Sequence, residues 1–198
     1  MDYLKLDENR YKNGLADENL RHYILRMAAI FQNAVECYQT HIEIFNKSSP
    51  VPLPIFTDYP SVRLFYRLTI KSVVINLHEL YNRKGFFSRL LNSLIDGSEP
   101  NFGLKFKNDE DLKHWRGKLK SYANDIEYIE SLRDKVHAHY DREVVMVRSE
   151  GTDQDKYDRL IDFGREFINF LYGKVLNSTW KERDIKQDII GFISKLES

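Results

Sequence analysis

The chain carries one cysteine, Cys37, so no disulfide forms within it. Cys37 has no partner thiol and no metal-ligand spacing around it. It is expected to fill space beside a helical seam rather than act as a nucleophile. No apolar run approaches ~20 residues, so no helical membrane span is expected. Met1-Asp2-Tyr3-Leu4-Lys5 lacks the basic-then-apolar layout of a secretory signal. Together these absences point to a cytoplasmic protein with no membrane partner. An excess of one charge is missing too, with 30 basic residues against 30 acidic ones. That balance argues against a protein that coats nucleic acid nonspecifically, because such binding rests on phosphate neutralisation. It permits a local basic groove, and it does little to hold copies of the chain apart. Proline is scarce outside one stretch: of five, Pro50, Pro52, Pro54 and Pro60 fall together, which predicts an extended linker. There is no G-x-G-x-x-G, Walker loop, C-x-x-C, H-E-x-x-H or G-x-S-x-G. No internal repeat, strand-like alternation of convincing length or charge block is present.

What remains is a helical pattern. With 198 residues, 42% hydrophobic and 30% charged, the chain suits one globular domain. Residues 1–16 are polar and read as an arm, and 17–198 as a single α-helical domain. Its last helix, about 182–196, is an appendage. Asp17 is the expected cap of a long helix whose stripe is Leu20, Ile24, Met27, Phe31, Ala34, Tyr38, Ile42 and Phe45. The next helix, about Ser61 to Arg83, is apolar over so much of its circumference that a central position is predicted. Asn76 and Glu79 lie among those apolar residues, where a polar group needs a partner or a site. A short helix from Phe86 to Ile95 follows. Then comes a longer one behind an Asn108/Asp109 cap, with a bend expected at Ser121–Asp125, where helix propensity is weakest. Val144 to Val147 reads as a short extended piece or one helical turn. A fifth helix is capped by Thr152/Asp153. The fold class is all-α, a bundle of four main antiparallel helices with additional short helices.

Chemistry concentrates in Ser131 to Arg142, where Arg133, Asp134, Lys135, His137, His139, Asp141 and Arg142 crowd into twelve residues. His22, His41 and His114 sit among charged neighbours and are expected at the surface, and His78 is expected to be structural. Imidazole moves a proton in either direction near neutral pH. Guanidinium stays charged and grips phosphate oxygens in a bidentate manner. Together they suit attack of an RNA ribose 2′-hydroxyl on the adjacent 3′-phosphate, with Arg stabilising charge on the phosphoryl oxygens. A solvated charged face at a helix end is the plainer reading of the same residues. Metal binding by His137, His139 and Asp141 is disfavoured, because His-x-His side chains diverge by ~200° on a helix. No cofactor is expected.

Arg133-Asp134-Lys135-Val136-His137-Ala138-His139 resembles the R-x(4–6)-H signature of the HEPN superfamily, with five residues between Arg133 and His139. The string Leu132 to Asp141, together with Leu64-Phe65-Tyr66-Arg67-Leu68-Thr69-Ile70-Lys71-Ser72-Val73, is similar to the abortive-infection U-type HEPN proteins. The resemblance spans roughly residues 20–175. It implies a helical bundle that forms a homodimer, with two Arg/His motifs facing across the interface. It also implies metal-independent RNA cleavage in phage defence or a toxin–antitoxin system, with a nucleotidyltransferase-type antitoxin as a partner. Other members are catalytically silent RNA-binding or interaction modules. Carried over, Arg133 holds the scissile phosphate, His139 is the general acid/base, and Asp134 or Asp141 orients one of them. His137 is auxiliary, and Asn76 and Glu79 are candidates for the cleft wall. Asp134 stands where this subgroup usually has Asn, which adds a negative charge beside the phosphate site. On a regular helix Arg133 and His137 share a face, whereas Arg133 and His139 are ~120° apart. The pair meets at one phosphate only if the helix deforms or a second chain supplies one member.

Overall fold

The structure is a computed structural model and describes residues 16–47, 60–96, 109–138 and 154–196. It is all-α, and no strand occurs among the described residues. The helices are α1 (Ala16–Lys47), α2 (Pro60–Tyr81), α3 (Phe86–Asp96), α4 (Glu110–Ser121), α5 (Ala123–Ala138), α6 (Gln154–Leu176) and α7 (Lys186–Leu196). Four long rods make the body: α1, α2, α6, and α4 continued by α5. Asp17 is not the cap, because α1 already includes Ala16 and Asp17. Of the proline stretch, residues 48–59 lie outside the described residues, as do Val144 to Val147 and the Thr152/Asp153 cap, whereas Pro60 is the first residue of α2 and not part of a linker.

Helix α2 is central, packing against α1, α3 and α5. Its buried side is Tyr66, Ile70, Val73, Val74, Leu77, Leu80 and Tyr81, and it meets the α1 stripe from Leu20 to Tyr38. The apolar circumference predicted for α2 is not all used, however. Leu64, Phe65, Leu68 and Ile75 remain 42–58% exposed. Leu64, Leu68 and Ile75 fall at i, i+4 and i+11 and so occupy one face. Thr69, buried near that end, satisfies its hydroxyl by donating to the Tyr66 carbonyl at 2.8 Å.

An aromatic cluster locks the other end of the bundle. Tyr81 of α2, Phe87 of α3, Trp115 of α4 and Phe163 and Phe167 of α6 meet at centroid separations of 4.8–5.9 Å, mostly edge to face. Each such pair contributes about 0.5–1.5 kcal/mol beyond its area burial. The Tyr81 hydroxyl donates to the Leu160 carbonyl, which satisfies the one polar atom this ring brings into the core. Helices α1 and α6 approach closely at Gly164, where an added Cβ collides with the Phe31 ring. Helix α6 ends at Asn177, whose φ of 47° places it in the left-handed region that closes helices.

The final helix starts at Lys186, later than the expected 182, because residues 182–185 are held by other helices outside any helix of their own. The Glu182 carboxylate takes Arg165 in a fork at 2.8 and 3.1 Å. Arg183 exchanges two backbone hydrogen bonds with the Gln32 side chain at 3.0 Å each. Helix α7 then docks on α1 through buried Ile189 and a Lys186–Glu43 pair at 3.1 Å. No described helix is long and apolar enough to cross a membrane.

Of the histidines, His22 and His114 are exposed as expected. His41 is not: it is 8% exposed and stacks on the Tyr66 ring at 4.2 Å. Its charged sequence neighbours point elsewhere around α1, while the helix turns residue 41 towards α2. Burial lowers its pKa from 6.5 to about 4, opposed in part by a hydrogen bond to the Tyr66 backbone. Its Nδ1 has no hydrogen-bond partner. Cys37 is half-buried, and burial raises its thiol pKa, which keeps the unreactive thiol form.

Candidate functional site

The site is carried by the α4–α5 rod. Asp109 caps it, accepting from the Leu112 N–H at 3.2 Å. Lys174 of α6 braces that cap by pairing with Asp109 at 2.6 Å and Asp111 at 2.7 Å. These contacts, the Lys174 hydrogen bond first, hold the Asp109 carboxyl below its usual pKa. The rod breaks at Tyr122 (φ −92°, ψ 14°), inside the stretch where a bend was expected. Ser121 donates back to the Lys118 carbonyl at 2.7 Å, competing with regular helix, and the Tyr122 ring packs on Phe163. Helix α5 restarts with the Ile126 N–H donating to the Tyr122 carbonyl.

Along α5, Asp125, Ile129 and Leu132 are buried, and Asn124, Glu127, Ser131 and Asp134 are exposed. Asp125 is anchored by a fork from Arg159 of α6 at 2.7 and 2.9 Å, which fixes the rotation of α5. Arg133 then falls at the flank of the buried seam. Its side chain is 35% exposed, and its Nε is buried. That Nε lies 3.0 Å from the carboxylate of Asp134, whose side chain is 70% exposed. The N–H does not point at that oxygen, so the contact is an ion pair while the donor stays without a hydrogen bond.

Arg133 and Asp134 are therefore brought together. Helix α5 stays regular through Ala138, which puts position 137 one turn beyond Arg133; the His137 side chain, His139 and Asp141 lie outside the described residues. Glu79 faces α1, 3.9 Å from Arg26, which in turn lies 5.2 Å over the Phe86 ring. Asn76 is half-buried on α2. Among the described residues no hydrogen bond or ion pair joins either of them to Arg133.

Sequence reasoning missed a second feature of the same helix. The break at Tyr122 opens a cavity of about 400 Å³ between the end of α2, α3 and the α4–α5 joint. Leu91, Leu119 and the Tyr81 ring floor it, with Ile126 at the side. Arg83, Arg116 and Lys120 bring positive charge, Glu127 and Glu130 negative charge, and Ser88 and Asn92 neutral polar groups. Arg116 is engaged by Asp96 at 2.7 and 2.9 Å. Among the described residues the other four charges make no ion pair. The spacings Arg116/Lys120 and Glu127/Glu130 mark charged helix faces in the sequence, but only the fold brings those faces to one hollow. Ile126, Glu130 and Arg133 fall at i, i+4 and i+7 on α5, but Arg133 does not line the cavity.

No protein-family model, no curated protein and no solved structure matches the chain.

Proposed function

We propose that the chain is a HEPN-type endoribonuclease that works as a homodimer, cleaving RNA by attack of the ribose 2′-hydroxyl without a metal ion. The observation that supports it best is Arg133. A guanidinium held at the edge of a buried seam, with Nε desolvated and lacking a hydrogen bond, is ready to donate to a phosphoryl oxygen. Binding a phosphate there satisfies the orphaned donor and stabilises the charge that grows on the phosphoryl oxygens. His139, the residue after next beyond the regular turn of position 137, supplies general acid/base catalysis. Asp134 orients the guanidinium and competes with phosphate for it. The exposed apolar face of α2 supports self-association, because a second copy removes it from water. Phage defence or a toxin–antitoxin role, with a nucleotidyltransferase-type antitoxin restraining the enzyme, and a cytoplasmic location belong to the same proposal.

The test is cleavage of mixed RNA in EDTA by wild type, Arg133→Ala and His139→Ala. Wild type is expected to cleave, and each variant to lose at least about a hundredfold in rate. Absence of cleavage, or cleavage unchanged in both variants, overturns the nuclease reading. A second reading rests on the Arg133–Asp134 pair: at 3.0 Å the carboxylate offsets the charge a transition state needs, which suits a silent RNA-binding module. In that case RNA binds, Arg133→Ala weakens it, and no cleavage occurs.

A further inference from the structure

Helix α5 restarts after the break at Tyr122, so the backbone of α4 does not dictate how α5 is rolled about its axis. The apolar seam of α5 sets that roll only loosely. Ile129 and Leu132 are buried and α5 packs on α2, but apolar burial is non-directional and tolerates a turn of the helix. Directional contacts come from the first two turns of α6. Arg159 grips Asp125 in a fork at 2.7 and 2.9 Å. The Lys156 ammonium lies 3.9 Å over the Tyr128 ring, and Tyr128 meets Tyr157 edge to face at 6.2 Å. Tyr157 in turn stacks on Tyr38 of α1 at 5.8 Å, and the Tyr38 hydroxyl donates to Asp158 at 2.7 Å. The start of α6 is thus fixed to the body of the bundle and grips α5 from there.

Stability alone does not explain the fork. The Asp125 side chain is 10% exposed and that of Arg159 49%. Taking a carboxylate out of water offsets much of what the pairing gains, and the best-attested use of such a pair is to fix one arrangement among several. Asp125 precedes Arg133 by eight residues, which is ~80° around the helix and ~12 Å along it. A guanidinium about 6 Å from the axis moves by about 2 Å when the helix rolls by ~20°. A misplacement of about 1 Å can cost about a hundredfold in rate. We propose that Arg159, acting through Asp125, is a positioning residue for Arg133. The fork holds α5 at the one roll that keeps the Arg133 Nε at the flank of the buried seam, neither driven into the core nor swung into water. This role presupposes Arg133 as the residue that holds the scissile phosphate. Arg159 itself touches no reacting group.

Two readouts on the intact chain test this. Arginine-selective 15N labelling, with the Arg133 signal assigned from Arg133→Lys, follows the Nε–H directly by NMR. In wild type the buried Nε–H gives a distinct, slowly exchanging signal. In Arg159→Ala that signal moves towards those of exposed arginines, and its exchange with solvent speeds up by at least about tenfold. In RNA cleavage, Arg159→Ala lowers kcat by at least about tenfold and leaves KM within about threefold, because the lost geometry serves the transition state. Added to Arg133→Ala, it lowers the rate no further, since it acts through that residue. Arg159→Lys keeps the charge without the fork and behaves as the alanine variant does. Arg165→Ala removes a comparable fork from the same helix, the one to Glu182, and changes neither readout. Where thermal unfolding shows that Arg159→Ala does not fold, the neutral pair Asp125→Asn with Arg159→Gln gives the same readouts. A wild type that cleaves no RNA removes the nuclease reading, and the Nε–H signal alone then decides the positioning. A signal unmoved in Arg159→Ala overturns the proposal. So does a kcat at the wild-type level, or a loss of rate that adds in full to that of Arg133→Ala.

Discussion

Arg133 and Asp134 are neighbours in sequence and an ion pair in space, yet the guanidinium Nε is still owed a hydrogen bond. Asp134→Asn removes the competing charge while keeping the shape. The expected result is RNA bound more tightly at low salt and cleaved faster, by about tenfold, in a filter-binding and gel assay. His41 makes a different prediction. Its folded-state pKa is about 4 against 6.5 when unfolded, so the unfolded chain takes up the proton first. The stability this neutral histidine contributes is present above pH 6.5 and is lost as pH falls towards 4. The loss is on the order of 3 kcal/mol at most. His41→Phe keeps the ring on Tyr66 and removes the titration. Urea unfolding at pH 7 and pH 5 is expected to show a smaller drop in that variant than in wild type. Gly164→Ala drives a methyl group into Phe31. A destabilisation of about 1–3 kcal/mol and a lower Tm in calorimetry are expected.

The helical elements were legible where a single helix holds the information. The α1 stripe is buried from Leu20 to Tyr38 as its spacing predicted, Asp109 caps α4, and the break falls at Tyr122 within the weak Ser121–Asp125 stretch. Replacing that cap tests the element itself. Asp109→Ala leaves the Leu112 N–H without its acceptor and Lys174 without one of its two carboxylates. A loss of about 0.5–2 kcal/mol is expected in urea unfolding. Less was legible where two or more elements decide. His41 becomes a core residue only because Tyr66 of α2 lies across from it. Glu79 becomes a partner of Arg26 only because α1 packs there. Residues 182–185 carry no helix because Arg165 of α6 and Gln32 of α1 hold them. The cavity needs α3 set against the rod's break, an arrangement no periodicity contains. At Arg133, residue type marked a candidate in the sequence but its burial was not legible, because Asp125 and Arg159 set the rotation of α5.

For the molecule as a whole, the regular course of α5 up to Ala138 sharpens the geometric demand on the site. On a regular helix positions six apart point ~120° from each other, so the proposed nuclease pairs one chain's arginine with a second chain's histidine. In a two-fold dimer both clefts are then composite. Mixing two inactive proteins measures this directly. Arg133→Ala and His139→Ala chains are denatured together in equal amounts, refolded and assayed for RNA cleavage in EDTA. Half the dimers formed are mixed, and each mixed dimer holds one intact Arg/His cleft. The account predicts recovery of about a quarter of wild-type activity. Activity that stays at the level of the separate variants, while wild type treated in the same way regains its own, would contradict it.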